Sequence, residues 1–333
     1  MSIRDLPFEY FLTKKAQLNS NIVLGPGMDD CSVIKLKNRL LVVTSDFVNA
    51  KPASVSLGIA TPKDIGYLAA AANLSDLIGT GATPTGFLLG VRLPHNRNDD
   101  DFDQIISGAI ECLSQYDTPL IGGDTKLGAE LVVYGVGIGT AKNIKELFTL
   151  SNAKPGDNIL LSGEVGAFNA AVWALSKGGC PEHLIDECKS SILRPKLPLS
   201  ISKSLASTRQ SRGGTDLSDG LGYNLSRLAR SSNVGLSVDV ESIPIHPLAR
   251  SIAEAYEIDP LSFVFSTGGD FQFIATGEDF KGMYKIGVIT RPESGCKIFN
   301  KGKSAPLPLN GHDDENFIDF PSEIDTLVKS FSK

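Results

Sequence analysis

Apolar positions in the first 150 residues alternate between the spacing of helices and the spacing of strands. Residues 64–80, DIGYLAAAANLSDLIGT, are mostly small or apolar and predict a buried helix. Residues 100–116 repeat apolar side chains every three or four positions, which predicts a helix with one buried face. Short β-rich runs bounded by turn residues predict strands at 31–36, 39–45, 85–93, 118–121 and 130–140.

The second half of the chain continues this mixture after a segment rich in turn residues. SNAKPGDN, near residues 150–157, precedes the apolar strand NILLSG and marks a boundary. Because 333 residues exceed what one core usually supports, we predict an α/β protein with mixed sheets and two domains, 1–150 and 151–333. The patterns beyond the boundary predict helices near 165–177, 198–207 and 219–232, and strands near 235–240, 262–266, 271–276 and 284–290.

Composition and charge exclude several classes of protein. The formal net charge is −6 and no long basic run occurs, which argues against nucleic acid or an anionic membrane as the main partner. The five cysteines are scattered and form no CxxC pair, so neither a disulfide framework nor a structural zinc site is expected. The N-terminus lacks the apolar region of a signal peptide. We therefore expect a cytoplasmic protein.

Aspartates recur where apolar segments meet glycine, serine or threonine. Asp46 ends the strand LLVVTSD, and Asp124 follows the apolar run PLIGG. Each aspartate alone could be a helix cap or a turn residue. Their repetition at such positions favours a shared function, because loops present functional groups from a rigid scaffold. The set comprises Asp29, Asp30, Asp46, Asp76, Asp124, Asp216, Asp219 and Asp270.

If these carboxylates converge, they need bound cations. Two carboxylates ~4 Å apart repel each other by about 4 kcal/mol at an effective dielectric constant near ~20. Mg²⁺ is the expected cation, since it prefers oxygen ligands and also binds phosphates. Phosphoryl transfer requires mainly positioning and positive charge on the phosphates, which carboxylate-bound Mg²⁺ supplies. The sequence therefore predicts a magnesium-dependent phosphotransfer enzyme that uses ATP.

The common nucleotide-binding motifs are missing. The chain has no GxxxxGK[ST] P-loop and no protein-kinase signature. GVGIG at 135–139 lies inside an apolar strand pattern and lacks the third glycine of a dinucleotide fingerprint, so we interpret it as structural. Any ATP site must therefore use another scheme.

Eight motifs follow one another along residues 25–275: MDDCSV, VVTSD, NLSDLIGTGATP, GGDT, SNAKPGD, RPKLPL, DLSDGL and GGDF. This series resembles the thiamine-monophosphate kinase family, within the superfamily of aminoimidazole-ribonucleotide synthetase-like enzymes. The resemblance implies an N-terminal α/β domain that binds ATP and Mg²⁺ and forms a homodimer, followed by a C-terminal α/β domain. It also implies transfer of the γ-phosphoryl group of ATP to a small phosphorylated acceptor, thiamine monophosphate in the first instance.

The resemblance implies roles for individual residues. Asp46 and Asp219 would act in catalysis, and Gly123, Asp124 and Ser218 would contact the nucleotide. An acceptor that is already a phosphate is ionised near neutral pH, so no dedicated general base is required. The residues implied at the metal ions are Asp30, Thr44, Ser45, Asp46, Asp76, Asp124, Asp216 and Asp219.

The chain departs from the family where the family contacts its substrate. Ala53 stands where the family has a histidine, and Gly269, beside the retained Asp270, stands where it has a glutamate. His312 is the candidate for the place of an aromatic residue that holds the thiamine ring. The candidate substrate positions are thus Ala53, Gly269, Asp270 and His312. In addition, Leu150 stands where the family has an arginine associated with ATP.

These departures leave two alternatives open. Losing a buried polar contact costs ~1–3 kcal/mol, so several such losses could redirect specificity to another small molecule. The chain would then be a sister kinase, or an ATP-dependent synthetase of the same superfamily. Alternatively, it could be a catalytically weak nucleotide-binding protein, although the intact aspartates argue against that hypothesis.

Overall fold

The computed structural model describes residues 19–48, 52–96 and 98–308. It contains two mixed β-sheets with helices packed against them, so the predicted α/β class is confirmed. None of the helices in these ranges is both long enough and apolar enough to cross a membrane. His312, one of the candidate substrate residues, lies outside the described residues.

The described residues of the first half of the chain form a six-stranded sheet and three α-helices. Its elements are β1 (Ile22–Leu24), β2 (Ser32–Lys35), β3 (Leu40–Phe47), α1 (Ala53–Ser56), α2 (Pro62–Gly79), β4 (Thr83–Pro94), α3 (Asp99–Gln115), β5 (Leu120–Gly128) and β6 (Val132–Ala141). The strand order is β1-β2-β3-β6-β4-β5. All neighbours are antiparallel except β4 and β5, whose parallel pairing requires the crossover that α3 provides.

The long helix α2 is well capped and almost entirely buried. Its N-cap Thr61 and Asp64 form a capping box, in which the Thr61 N–H donates to Asp64 Oδ2 at 2.7 Å. Pro62 occupies the first helical position, where no N–H is needed. Burial on all sides explains why its sequence shows no polar face.

The glycines of GVGIG allow α2 to lie directly on the sheet. A Cβ atom on Gly135 would lie 2.5 Å from Asn73 Nδ2, so a side chain at this position would collide with the helix. The Gly137 N–H donates to Asn73 Oδ1 at 3.2 Å and joins the two elements. The structural interpretation of this motif is therefore confirmed.

Up to residue 308, where the description of the structure ends, the second half forms a seven-stranded sheet with six α-helices. Its elements are β7 (Asn158–Leu161), α4 (Ala167–Lys177), α5 (Ile185–Leu193), α6 (Leu199–Thr208), β8 (Gly214–Asp216), α7 (Leu221–Ser232), β9 (Gly235–Asp239), α8 (Pro247–Ala255), α9 (Leu261–Val264), β10 (Phe273–Gly277), β11 (Tyr284–Thr290), β12 (Cys296–Asn300) and β13 (Lys303–Pro306). The strand order is β13-β12-β9-β11-β7-β10-β8. Only β9 and β12 pair in parallel.

Residues from the second half complete the core around α2. Leu205 of α6 and Phe273 of β10 belong to the same buried cluster as Leu74 and Leu77 of α2. Ser202 Oγ donates to the Ile78 carbonyl at 2.6 Å and joins α6 to the end of α2. The helix thus packs against both sheets, and the division of the chain at residue 150 stays a prediction.

One predicted strand is wrong. Residues 262–266 belong largely to the short helix α9, which follows Pro260 in a helical conformation. Asp259 initiates this helix, because its Oδ1 accepts the Leu261 N–H at 2.9 Å. A short apolar run does not distinguish a strand from a buried helical turn. The patterns also missed β1, α1, α5, β8, α8, β12 and β13, whereas the other predicted elements are present, most of them with shifted ends.

Candidate active site

Five aspartates from both halves of the chain converge beside α2. Asp76 lies within α2, and electrostatic repulsion couples it to carboxylates from three other segments. Their convergence requires both sheets to pack against the same helix. The five are Asp30 in the turn before β2, Asp46 in β3, Asp76 in α2, Asp216 at the end of β8 and Asp219 between β8 and α7.

Asp76 is the central and most constrained member of this aspartate cluster. Its side chain accepts a hydrogen bond from Thr44 Oγ1 at 2.5 Å. Burial raises its pKa well above the ordinary value, and the charges of Asp46, Asp216 and Asp30 raise it further. Burial also raises the pKa of Asp46, although a hydrogen bond with Asp76 acts in the opposite direction. Asp46 and Asp76 therefore form a buried, hydrogen-bonded pair of carboxyl groups.

Asp216 brings the second sheet to the cluster. Its Oδ2 accepts a hydrogen bond from Ser75 Oγ at 2.7 Å, which links β8 to α2. Gly79 permits this approach, since a Cβ atom there would lie 2.6 Å from the Asp216 nitrogen. Burial, followed by repulsion from Asp30, raises the pKa of Asp216 to about 8.

Asp30 is the member with a cationic partner. Arg227 Nη2 of α7 lies 2.7 Å from Asp30 Oδ1, and Thr215 Oγ1 donates to Asp30 Oδ2 at 2.8 Å. Arg227 Nη1 also lies 4.0 Å from Asp219 Oδ2. One guanidinium group thus neutralises part of the negative charge on the side of the cluster nearest α7.

Asp29 has a structural role at the same place. Its Oδ2 accepts the Leu150 N–H at 2.8 Å, while the Leu150 side chain is buried in the core. Burial and the neighbouring Asp30 raise the pKa of Asp29 to about 7. Residue 150, where an arginine was expected, therefore acts through its backbone and its apolar side chain.

The donor set of the cluster fits Mg²⁺. Every side chain in it offers hard oxygen atoms, and burial, followed by repulsion from neighbouring carboxylates, raises the pKa values of Asp46, Asp76 and Asp216. Among the described residues, no group of three or more His, Cys, Asp or Glu side chains is arranged to hold a metal ion. The carboxylates would therefore have to turn from their mutual hydrogen bonds toward the ion.

The structure places Asp124 away from the cluster. Asp46 pairs with Gly135 across β3 and β6. Gly135 in turn pairs with Leu89 of β4, which pairs with Gly123 of β5. Three strand spacings of ~4.8 Å thus separate Asp46 from Gly123, so Asp124 lies about 14 Å or more from Asp46 within one chain.

Two of the predicted metal ligands, Asp124 and Ser45, have exposed side chains. Asp124 Oδ2 lies 3.4 Å from Lys126 Nζ, and both side chains are about two-thirds exposed or more (68% and 71%). Ser45 is also exposed, because strand alternation directs it to the face opposite that of Thr44 and Asp46. Thr44, by contrast, is buried and bonded to Asp76.

An apolar cavity of about 240 Å³ opens beside Asp46 and Asp219. The candidate substrate residues Ala53 and Gly269 line it, as does Ser218, the candidate nucleotide contact. Its aromatic walls are Phe47, Phe168 and Phe271. Two of the predicted substrate residues, Ala53 and Gly269, thus lie at one cavity with the predicted catalytic residues.

Asp270, the third substrate candidate, faces a neighbouring polar cavity of about 210 Å³. It accepts the N–H groups of Gly166 at 2.7 Å and Phe168 at 3.1 Å, at the start of α4. Burial raises its pKa, although these hydrogen bonds act in the opposite direction. Asp270 therefore holds the N-terminus of α4 in place.

The sequence patterns missed three side chains that support the cluster. They are Ser75, Thr215 and Arg227, each bonded to one of the aspartates. Ser75 and Thr215 directly precede Asp76 and Asp216, so their adjacency was a usable signal. Arg227 lies on α7 among other polar residues, and nothing in its spacing indicates a partner 197 positions away.

Known proteins resemble this chain in sequence. Residues 28–141 match the family model of AIR synthase related protein, N-terminal domain. The thiamine-monophosphate kinase of Methanopyrus kandleri is 32% identical over 235 residues, which are 69% of this chain and 74% of that protein. The chain belongs to the thiamine-monophosphate kinase family. That of Buchnera aphidicola subsp. Schizaphis graminum is 30% identical over 322 residues, 90% of this chain and 95% of its own.

Solved structures show the same fold in other members of the family. A structure of thiamine-monophosphate kinase from Stenotrophomonas maltophilia aligns with a TM-score of 0.70 and 25% identity, covering 89% of this chain and 95% of that one. A structure of AaThiL complexed with AMPPCP and TMP aligns with a TM-score of 0.78 and 22% identity, covering 93% and 98%. The aminoimidazole-ribonucleotide synthetase-like fold that the resemblance implied is thereby confirmed.

Proposed function

We propose that this chain is a magnesium-dependent kinase that transfers the γ-phosphoryl group of ATP to thiamine monophosphate, forming thiamine diphosphate. The observation that carries the proposal is the aspartate cluster at the mouth of an apolar cavity. A cation site beside an apolar pocket suits an acceptor with an anionic phosphate and an organic ring. The names of the relatives supply the identity of that acceptor.

Asp30, Asp46, Asp76, Asp216 and Asp219 are the residues that would hold Mg²⁺. When bound, Mg²⁺ neutralises the ATP phosphates and stabilises the charge of the transferred group. Thr44 and Ser75 orient two of the carboxylates through hydrogen bonds.

The acceptor would enter the apolar cavity with its phosphate toward Asp46 and Asp219. Phe168 and Phe271 offer apolar walls for a ring. Ala53 and Gly269 contribute no polar side chain, so recognition of the ring would rest on shape. The phosphate oxygen that attacks is already ionised near neutral pH, and the chain needs no base to deprotonate it.

We propose that Ser218, Gly123 and Asp124 contact the nucleotide. Ser218 lines the cavity beside Asp219 and hydrogen-bonds to Asp216, which supports a contact with the phosphates. Gly123 and Asp124 lie three strands from Asp46. Loss of ATP affinity in Asp124→Asn, with an unchanged melting temperature, is the result expected from a nucleotide contact.

We infer a homodimer from an apolar surface on the first sheet. The face opposite α2 carries Phe47, which is 68% exposed, and half-buried Tyr134, Val136 and Ile138. The rings of Phe47 and Tyr134 lie 5.3 Å apart on this face. Val136→Asp is expected to shift the mass in solution from dimer to monomer, as measured by light scattering. A cytoplasmic location and the domain division at residue 150 likewise remain predictions.

The decisive experiment measures Mg²⁺-dependent ATP turnover with and without thiamine monophosphate. Formation of thiamine diphosphate, abolished by removing Mg²⁺, is the expected result. ATP binding without that product would favour the sister kinase or synthetase acting on a different small molecule. Absence of ATP binding at millimolar Mg²⁺ would contradict the enzyme and favour a protein that has lost its activity.

A further inference from the structure

Two cavities adjoin each other on either side of one aromatic ring. The apolar cavity beside Asp46 has a volume of about 240 Å³, and a polar cavity of about 210 Å³ lies next to it. Phe168 and Gly269 belong to the walls of both. The polar cavity is otherwise lined by charged side chains that the apolar one lacks, including Glu187, Arg194 and Lys196.

The wall between the cavities depends on the absence of a side chain at residue 269. Gly269 has a φ of +118°, a conformation that other residues rarely adopt. A Cβ atom there would lie 2.4 Å from Phe168 Cδ1 and 2.5 Å from its Cγ. The phenyl ring therefore rests directly on the glycine backbone, and any larger residue at 269 would displace it.

The backbone that carries the ring is held on two sides. Phe168 donates its N–H to Asp270 Oδ1 at 3.1 Å, and Asp270 directly follows Gly269 in the chain. The next residue, Asn169, is 1% exposed, and its Nδ2 donates to the Phe263 carbonyl at 2.9 Å and to the Thr267 carbonyl. The ring therefore has a fixed position, which a wall between two cavities requires.

We propose that Phe168 determines which acceptors the enzyme accepts, because its ring forms the wall between the apolar cavity and the polar one. This inference rests on the proposed function, since it assumes that the acceptor phosphate lies at Asp46 and Asp219. Ligand pockets for small molecules usually exceed about 300 Å³, and each cavity alone is smaller. With the ring in place, the site admits a compact phosphomonoester; without it, the two cavities join and admit a longer or bulkier one.

The test compares two substitutions of the same type. Phe168→Leu replaces the dividing ring with a smaller aliphatic side chain. Phe263→Leu makes the same change in a buried residue near α4 that lines neither cavity. Phe168→Ala removes the wall completely. The acceptors are thiamine monophosphate and riboflavin 5′-phosphate, a bulkier phosphomonoester. Melting temperature establishes that each variant folds.

In Phe168→Leu, KM for thiamine monophosphate is expected to rise roughly tenfold while KM for ATP stays within about twofold. Phe168→Ala should in addition lower the preference for thiamine monophosphate over riboflavin 5′-phosphate by roughly tenfold or more. Phe263→Leu should match the wild type in its KM values and in its preference between the two acceptors. Unchanged acceptor KM values in the folded Phe168 variants, or equal changes in Phe263→Leu, would overturn the inference. No thiamine diphosphate from the wild-type enzyme would instead overturn the proposed function.

Discussion

Arg227 Nη2 lies 2.7 Å from Asp30 Oδ1 and joins α7 to the turn that precedes β2. Both side chains are only 16% exposed. Burial alone would lower the pKa of Arg227, but the charge and hydrogen bond of Asp30 and the charge of Asp219 together outweigh burial and raise the pKa. The aspartate cluster therefore contains a permanent cation of its own before any metal ion binds.

Replacing this cation should destabilise the protein in a way that Mg²⁺ partly reverses. Arg227→Met is expected to lower the free energy of unfolding by about 3 kcal/mol, because it leaves Asp30 buried without its partner. Millimolar Mg²⁺ should stabilise the variant more than the wild type, since the ion supplies the missing positive charge. Urea denaturation with and without Mg²⁺ measures both effects.

Arg230→Met is the matched control for that experiment, because Arg230 lies on the same helix and is exposed. It should change the free energy of unfolding by less than about 0.5 kcal/mol. If Arg227→Met is as stable as Arg230→Met, the ion pair with Asp30 contributes nothing to the fold.

Neutralising a central carboxylate should separate activity from stability. Asp46→Asn is expected to lower turnover by about two orders of magnitude or more, because it removes a residue proposed to hold Mg²⁺. The melting temperature without metal should not fall, since burial already raises the pKa of Asp46 and the substitution removes repulsion. Steady-state kinetics and thermal melting provide the two readouts. Asp103→Asn, on the exposed side of α3, is the control and should retain activity.

The capping residue Asp64 should make stability depend on acid pH. Burial alone would raise its pKa, but hydrogen bonds from Thr61 and Arg194 outweigh burial and hold the pKa below its ordinary value of 3.8. Arg194 Nε also lies 3.0 Å from Glu111 Oε1, and Lys63 Nζ lies 2.6 Å from Glu111 Oε2. Asp64 therefore stabilises the fold above pH 3.8, and this contribution is lost as the pH falls through the lower pKa of the folded state.

Asp64→Asn should accordingly be less stable than the wild type by about 1–3 kcal/mol near neutral pH. The difference between the two proteins should shrink as the pH falls below the ordinary value for a carboxyl group. Urea denaturation across the acid range measures this. A difference that is constant with pH would show that Asp64 acts through packing and not through its charge.

Gly79 should tolerate no side chain, because it lies against the backbone of Asp216. Gly79→Ala would place its Cβ atom 2.6 Å from the Asp216 nitrogen, so α2 and β8 would have to move apart. We expect a loss of about 1–3 kcal/mol in the free energy of unfolding, together with reduced turnover as Asp216 shifts. Wild-type melting temperature and activity in this variant would contradict the close packing.

Local sequence determined much of the secondary structure. Thr61, Pro62 and Asp64 fix the start of α2 through groups within four residues of one another. Residues 100–116 predicted α3 for the same reason, since helical periodicity depends on neighbours three and four positions apart. The short run at 262–266 was predicted wrongly, because the Asp259 cap and the burial of the segment decided its conformation.

The sequence also determined which motifs carry the chemistry, since the order of the aspartate motifs identified the family. Only the tertiary structure decided which members meet. It brings Asp30 and Asp216 together with Asp76, and it leaves Asp124 three strands from Asp46. The contacts of Arg227 with Asp30 and of Phe168 with Asp270 likewise became evident only from the tertiary structure. These contacts join residues about 100 to 200 positions apart, and such distances are set by how the sheets pack on α2, not by any local pattern.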